Sequence, residues 1–242
     1  KEIREVMIFL QSHGVSSGYA AKIYKQYGNE AVKIVQENPY RLATDVFGIG
    51  FITADKIAEK MGFARDSELR AAAGILYVLH ELTDEGHVFY PYDRLLVKCE
   101  EMLDIDREII VRALDTLAAD KQVVVEEIVQ DSTEVRESDK AVYLTGYHIA
   151  EKNIAFRLMA LVNAPQAIRK IDAEKAVQWV QERLSITLAD KQIEAVHRTA
   201  ANKVMVITGG PGTGKTTIIN AILRIFSAIR TRFMLAAPTG RA

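Results

Sequence analysis

The chain predicts a mainly α fold with an α/β C-terminus, and three observations carry that expectation. Apolar residues at 3, 6, 7 and 10 repeat with the period of one helical face, and related patterns recur through the first 63 residues. Between 69 and 145, helical patterns alternate with short β-type runs. From 203 onward the apolar run KVMVIT leads into a glycine-rich loop and then a helical pattern, the order of a buried parallel strand, a turn and a helix.

With 242 residues and 49% apolar content the chain can bury real cores, which excludes a disordered or fibrous protein. No apolar stretch approaches the length of a membrane span, and residues 1–10 mix Lys, Glu and Arg with apolar side chains rather than forming a secretion signal. A single cysteine, Cys99, excludes an intrachain disulfide and a Cys-rich zinc site, and none of the five histidines stands in a metal-binding spacing. The expectation is a soluble, cytoplasmic chain without a membrane partner, with Cys99 an inert buried thiol. The net charge of -1 hides an asymmetry: residues 1–63 carry 8 Lys/Arg against 7 Asp/Glu, residues 64–185 carry 15 against 23, and residues 186–242 carry 8 against 2. Local charge governs the field over a few Debye lengths, so an anionic ligand is favoured toward position 242 and disfavoured in the middle.

The first helix, over Glu2 to Leu10, stops at His13-Gly14. Two related units follow, Gly14 to Ile23 and Gly48 to Ile57, each opening on Gly and an apolar residue, closing on Lys-Ile, and running into a stop at Tyr27-Gly28 or Met61-Gly62. A helix over 31–36 lies between them and ends at Asn38-Pro39. A Gly-apolar-Gly turn between short helices lets the backbone take a tight positive-φ path while the next helix offers its free N–H groups outward, which suits a phosphate whatever base it carries. These units resemble the helix-hairpin-helix modules of DNA-repair and helicase proteins, Phe47-Gly48-Ile49-Gly50 being the better match. On that reading Gly14, Gly18, Gly48, Gly50, Thr53 and Lys56 contact DNA backbone; a packed hairpin that binds nothing is the competing reading.

Residues 69–82 predict a helix, 88–90 a strand, 92–103 and 106–119 two helices, 123–129 and 141–145 strands around a polar loop. That order is winged-helix-like. Its second paired helix carries Asp106, Glu108, Asp115 and Asp120 beside Arg107 and Arg112, so a spacer or protein-contact role competes with DNA reading. Helices over 147–162 and 172–184 follow, the second holding the lone Trp179, expected to pack. The resulting division is 1–63, 64–146, a helical linker over 147–185, and 186–242.

The loop Gly209-Gly210-Pro211-Gly212-Thr213-Gly214-Lys215-Thr216 satisfies G-x-x-x-x-G-K-[ST] between the strand at 203–208 and a helix over 217–229. Glycines let successive amides turn around a phosphate, the helix adds its positive end, Lys215 reaches the β- and γ-phosphates, and the Thr216 hydroxyl is placed for Mg²⁺. Residues 209–217, Thr217 included, are thus the expected ATP site, with Lys215 and Thr216 as its catalytic pair. Upstream, Thr187 is the expected helix cap, with Asp190 three residues on, and Gln192 has the planar donor and acceptor that match an adenine edge. Phe233 to Ala237 predicts a second strand, ahead of Pro238-Thr239-Gly240-Arg241-Ala242.

GGPGTGKTT followed by APTGRA resembles the RecD/TraA family of superfamily 1 DNA helicases, and the hairpins ahead of it are similar to the longer, stand-alone RecD-like form. The resemblance implies a RecA-like P-loop lobe, truncated here, that uses ATP and Mg²⁺, adenine reading by Gln192, contact of Thr239 and Arg241 with single-stranded or junction DNA, and 5′ to 3′ movement. The acidic motif and second lobe such a motor needs are not found before Ala242, so the expectation is the N-terminal fragment of a helicase, weak in nucleotide binding and inactive in unwinding. Two alternatives stay open: a non-catalytic DNA-binding or protein-docking fragment with an empty phosphate loop, and a P-loop enzyme acting on small molecules.

Overall fold

A computed structural model describes residues 2–128, 140–165 and 171–237. They form two compact units that divide between Lys152 and Asn153.

In the first unit, α1 (Glu2–Ser12) and α2 (Ser17–Tyr27) make one hairpin, and α4 (Arg41–Asp45) and α5 (Phe51–Lys60) make a second, with α3 (Ala31–Glu37) between them. The helices are short because the sequence stops them. Ser16 caps α2 by accepting from the Tyr19 amide, Gly28 closes it at φ 58°, and Asn38 lies ahead of Pro39 at the end of α3. The apolar face of each helix supplies a common core: Leu10, Ile23, Val35, Leu42 and Ile57 are buried in it, and Phe51 stacks between Tyr40 and Tyr77.

The same core continues into α6 (Glu68–Asp84), β1 (Tyr90–Pro91), α7 (Tyr92–Leu103), α8 (Arg107–Ala119), β2 (Val123–Glu127) and β3 (Lys140–Leu144). The sheet is antiparallel in the order β1-β3-β2, with Val125 opposite Val142 and Tyr90 also opposite Val142, so β3 is the central strand. Helix, strand, helix pair and a two-stranded wing is the winged-helix-like order expected. The first strand falls later than the 88–90 pattern, because Val88 and Phe89 stay exposed and only Tyr90 and Pro91 reach β3. Cys99 is fully buried in this core, and burial pushes its thiol up to about 12. Several helices close on left-handed residues that are not glycine: Asp104 after α7 (φ 54°), Lys121 after α8 (φ 58°), and in the second unit Ser185 (φ 52°) and Arg230 (φ 58°).

Helix α9 (Thr145–Asn163) runs across the division between the units and buries none of its residues. The second unit is built on α10 (Ala173–Leu184), α11 (Asp190–Ala201) and α12 (Lys215–Ala228), which enclose a small core of Val177, Val180, Leu188, Val196, Ala221 and Ile225. Trp179 faces away from that core and is 41% exposed. Its place on α10 is the outer side of a helix whose inner stripe is Val177 and Val180.

Three sequence expectations are corrected here. Residues 203–208 and 233–237 are not strands: neither joins a hydrogen-bonded ladder, and Val206, Met234 and Leu235 are 82%, 92% and 66% exposed. A parallel strand is stabilised by partners on its edges and helices on its faces, and no described segment pairs with either run. Thr187 does not cap α11. The helix starts at Asp190, Ala189 stands at the cap position, and the Ala189 amide is satisfied by Gln192 Oε1 at 3.0 Å. No helix among the described residues is long and apolar enough to cross a membrane.

Candidate functional site

The phosphate loop sits between the extended run that ends at Thr208 and the first turn of α12. Its turn is made by glycine: Gly212 and Gly214 lie at φ 75° and 80°, a left-handed backbone that a Cβ would strain. Gly209 is required for space as well, since a Cβ there would stand 2.7 Å from Thr213 Oγ1. The loop closes on itself by one bond, Thr213 Oγ1 donating to the Gly210 carbonyl at 2.9 Å. Lys215 opens α12 and folds its ammonium back, donating to the carbonyls of Gly209 and Gly210 at 2.6 Å each. The cation is therefore held over the loop mouth, where a phosphate would replace the two carbonyls as its partner.

Helix α12 runs from Lys215 to Ala228 and is anchored by Ile218, Ala221 and Ile225, so its N-terminal amides are fixed in direction by packing at the other end. Thr216 and Thr217 lie exposed in the first turn. The donor set suits a triphosphate with Mg²⁺: amides from a glycine turn, one ammonium, and a hydroxyl on the first turn that could ligate a hard cation.

Gln192 is brought to this loop from α11. Its Nε2 donates to the Thr213 carbonyl at 3.3 Å while its Oε1 accepts from Ala189, so both ends of the amide have protein partners. Gly214 admits it: a Cβ at 214 would lie 2.4 Å from Gln192 Nε2. The expected adenine reader thus stands on the loop's flank, and reading a base would require it to leave Thr213. Thr239 and Arg241 lie outside the described residues.

At the hairpins, positive φ belongs to Gly14 (78°) and Gly48 (90°). Gly50 is the extended N-cap of α5 and Gly18 lies inside the first turn of α2, so these two supply room and free amides rather than the turn itself. Thr53 and Lys56 follow on α5, Lys56 exposed and Thr53 half-buried. Sequence reasoning missed two lysines that cross between the hairpins. Lys22 of α2 donates to the Phe47 carbonyl in the second loop at 3.2 Å, and Lys60 of α5 lies against Gly14 of the first. A signal for Lys22 was present, since it follows Gly14 at the spacing by which Lys56 follows Gly48.

The charge around these loops is sorted by pairing. Asp45 is met by Arg41, Asp55 by Arg70 and Glu59 by Arg65, whereas Lys22, Lys25, Lys56 and Lys60 form no ion pair among the described residues. The carboxylates of the second hairpin are each paired with an arginine, Glu59 on the surface and Asp45 and Asp55 partly covered, and its lysines face solvent.

The chain thus carries a glycine loop at the start of a packed helix and, in its other unit, short helical hairpins whose lysines form no ion pair among the described residues. Residues 1–89 match the family described as the ATP-dependent RecD2 DNA helicase HHH domain, and residues 192–242 match an AAA domain. The chain is 28% identical to the ATP-dependent RecD2 DNA helicase of Deinococcus radiodurans over 247 residues, 99% of this chain and 33% of that protein. It is 33% identical to the RecBCD enzyme subunit RecD of Mycobacterium tuberculosis over 111 residues, 43% of this chain and 18% of the relative. The RecD subunit of Buchnera aphidicola is 36% identical over 107 residues, 42% of this chain and 17% of that one. These matches make the chain similar to RecD-like DNA helicases, with the helix-hairpin-helix match over residues 1–89 lying ahead of the phosphate loop. The chain spans about a third of the length of the Deinococcus relative.

Proposed function

We propose that this chain is the part of an ATP-dependent, 5′ to 3′ DNA helicase that grips DNA backbone through its hairpins and receives ATP with Mg²⁺ in the loop at 209–217. The observation that carries the reading is the coexistence of two features. One is a glycine turn that hands directly to a packed helix with Lys215 at its first position; the other is a hairpin region whose exposed lysines lack carboxylate partners. Amides of the loop and the first turn of α12 would hold the phosphates, Lys215 would move from the Gly209 and Gly210 carbonyls to the β- and γ-phosphate oxygens, and Thr216 would ligate Mg²⁺. When bound, the metal offsets phosphate charge. Gln192 would lie beside the base. Gly14, Gly18, Gly48, Gly50, Thr53 and Lys56 would meet the sugar-phosphate backbone of single-stranded or junction DNA, with Thr239 and Arg241 on its path through the motor. This stretch by itself would bind nucleotide weakly and would not unwind, because only the phosphate side of a nucleotide site is assembled from its described residues.

Titration with a fluorescent ATP analogue in the presence of Mg²⁺ tests the reading. Lys215→Ala should weaken binding by tenfold or more, the loss of a charge-assisted contact to phosphate. Equal and negligible binding by both proteins would overturn it in favour of a non-catalytic DNA-binding or protein-docking region.

A further inference from the structure

The second hairpin presents an aromatic ring to solvent. Phe47 is 95% exposed at the loop tip, and Ile52 on the first turn of α5 is 56% exposed. The corresponding residue of the first hairpin, His13, behaves oppositely. Its ring packs on Phe9 with centroids 4.5 Å apart, and its Nδ1 lies 2.8 Å from the Phe9 carbonyl. Two loops of the same design therefore treat the residue before the turn glycine in contrary ways. Lys22 donates to the Phe47 carbonyl and lies 5.9 Å from the Phe47 ring and 5.7 Å from the Tyr19 ring, fixing the backbone of the tip from the side of the first hairpin.

An exposed phenyl ring beside an ammonium, flanked by the free amides of a helix start and by the unpaired Lys56, has the chemistry that single-stranded nucleic acid recognises. The ring offers a π-face to a base, and the cations and amides meet the adjoining phosphates. Within a duplex both faces of each base are covered by its neighbours, so along a strand the ring gains access where bases are unpaired. We propose that Phe47 stacks on an unpaired base of DNA in a single-stranded overhang, while the Gly48–Gly50 turn, Lys22 and Lys56 hold the neighbouring phosphates. This rests on the reading that the hairpins bind DNA backbone, and deepens it from phosphate contact alone to a preference for strands with exposed bases.

Fluorescence anisotropy with a blunt duplex and with the same duplex carrying an overhang tests it, together with 2-aminopurine placed in the overhang. The wild-type chain should prefer the tailed duplex and quench 2-aminopurine. Phe47→Ala should lose about tenfold in affinity for the tailed duplex, with the quenching gone and with little change on blunt DNA. Phe47→Trp should restore both. The salt dependence should be unaltered in Phe47→Ala and shallower in Lys56→Ala, since only the second removes a phosphate contact. A chain that binds neither DNA would overturn the underlying reading. Binding by wild type with an unaffected Phe47→Ala, or an equal loss on blunt and tailed DNA, would overturn the stacking proposal and leave backbone contact standing.

Discussion

Around Asp45 three donors converge: Thr44 Oγ1 at 2.7 Å, the Tyr27 hydroxyl at 2.8 Å and Arg41 Nη2 at 3.1 Å. Burial pushes its carboxyl up, but these bonds outweigh burial and hold it below the usual carboxylate range. Tyr27 responds in the other direction, raised by burial and by the Asp45 charge. A carboxylate depressed in the fold stabilises above its unfolded value and loses that contribution as pH falls through the folded one. Asp45→Asn should therefore cost roughly 1 kcal/mol near neutral pH, with the gap to wild type closing below about pH 4. Urea melts across that range measure it; a gap that persists at low pH would contradict the assignment. At this scale the phosphate loop was the most legible part of the chain, because residue type and spacing within eight positions carry its geometry. The exposure of Phe47 was illegible for the opposite reason. Nothing near it in sequence says that a lysine from the other hairpin donates to its carbonyl.

Among the elements, α5, α6 and α7 are tied by one side chain. Arg70 on α6 donates to Asp55 on α5 through Nε at 2.9 Å and Nη2 at 3.1 Å, and its Nη1 reaches the Leu103 carbonyl at the end of α7 at 2.7 Å. The Tyr40 hydroxyl donates to the same carboxylate at 2.8 Å. With Arg70 only 13% exposed, removing it leaves the Asp55 charge with the Tyr40 hydroxyl but no cation and takes a donor from the Leu103 carbonyl. Arg70→Ala should cost about 2 to 4 kcal/mol, more than a surface pair, because the remaining charge is poorly solvated. Arg70→Lys should recover only part of this, since an ammonium cannot fork across both carboxylate oxygens. Chemical denaturation followed by circular dichroism checks both variants, and a loss within experimental error for Arg70→Ala would refute the tie. Helices were legible in sequence where apolar period and a stop signal agreed, as at Leu10 and Gly14 or Val35 and Asn38. The runs at 203–208 and 233–237 were misread because β-branched content reports a preference for a pleated surface, and the preference is realised only when a ladder partner is present. The cap of α11 was misplaced for a similar reason. A threonine in the right neighbourhood lost to a glutamine that satisfies the same amide from inside the helix.

Across the whole molecule, charge and packing are distributed by unit. The first unit has one continuous core from Val6 to Leu144, and the second has a small one around α12. The near-neutral count over residues 1–63 concealed a local sorting at the second hairpin, where Asp45, Asp55 and Glu59 are paired with arginines and the lysines form no ion pair among the described residues. Composition could place positive charge near the phosphate loop, where 8 basic residues face 2 acidic ones, but could not reveal the sorted charge of the hairpins. The left-handed helix ends bear on heat tolerance. Lys121, Ser185 and Arg230 each hold a backbone geometry that costs an L-residue about 1 to 2 kcal/mol, roughly half of which glycine would recover after its own entropy loss. Replacing all three with glycine should raise the melting temperature by several degrees in calorimetry; a fall would show that their side chains compensate for the twist. A protein of this kind could thus be adapted to a hotter habitat through its turns alone, without altering the glycine loop at 209–216 or the hairpin lysines.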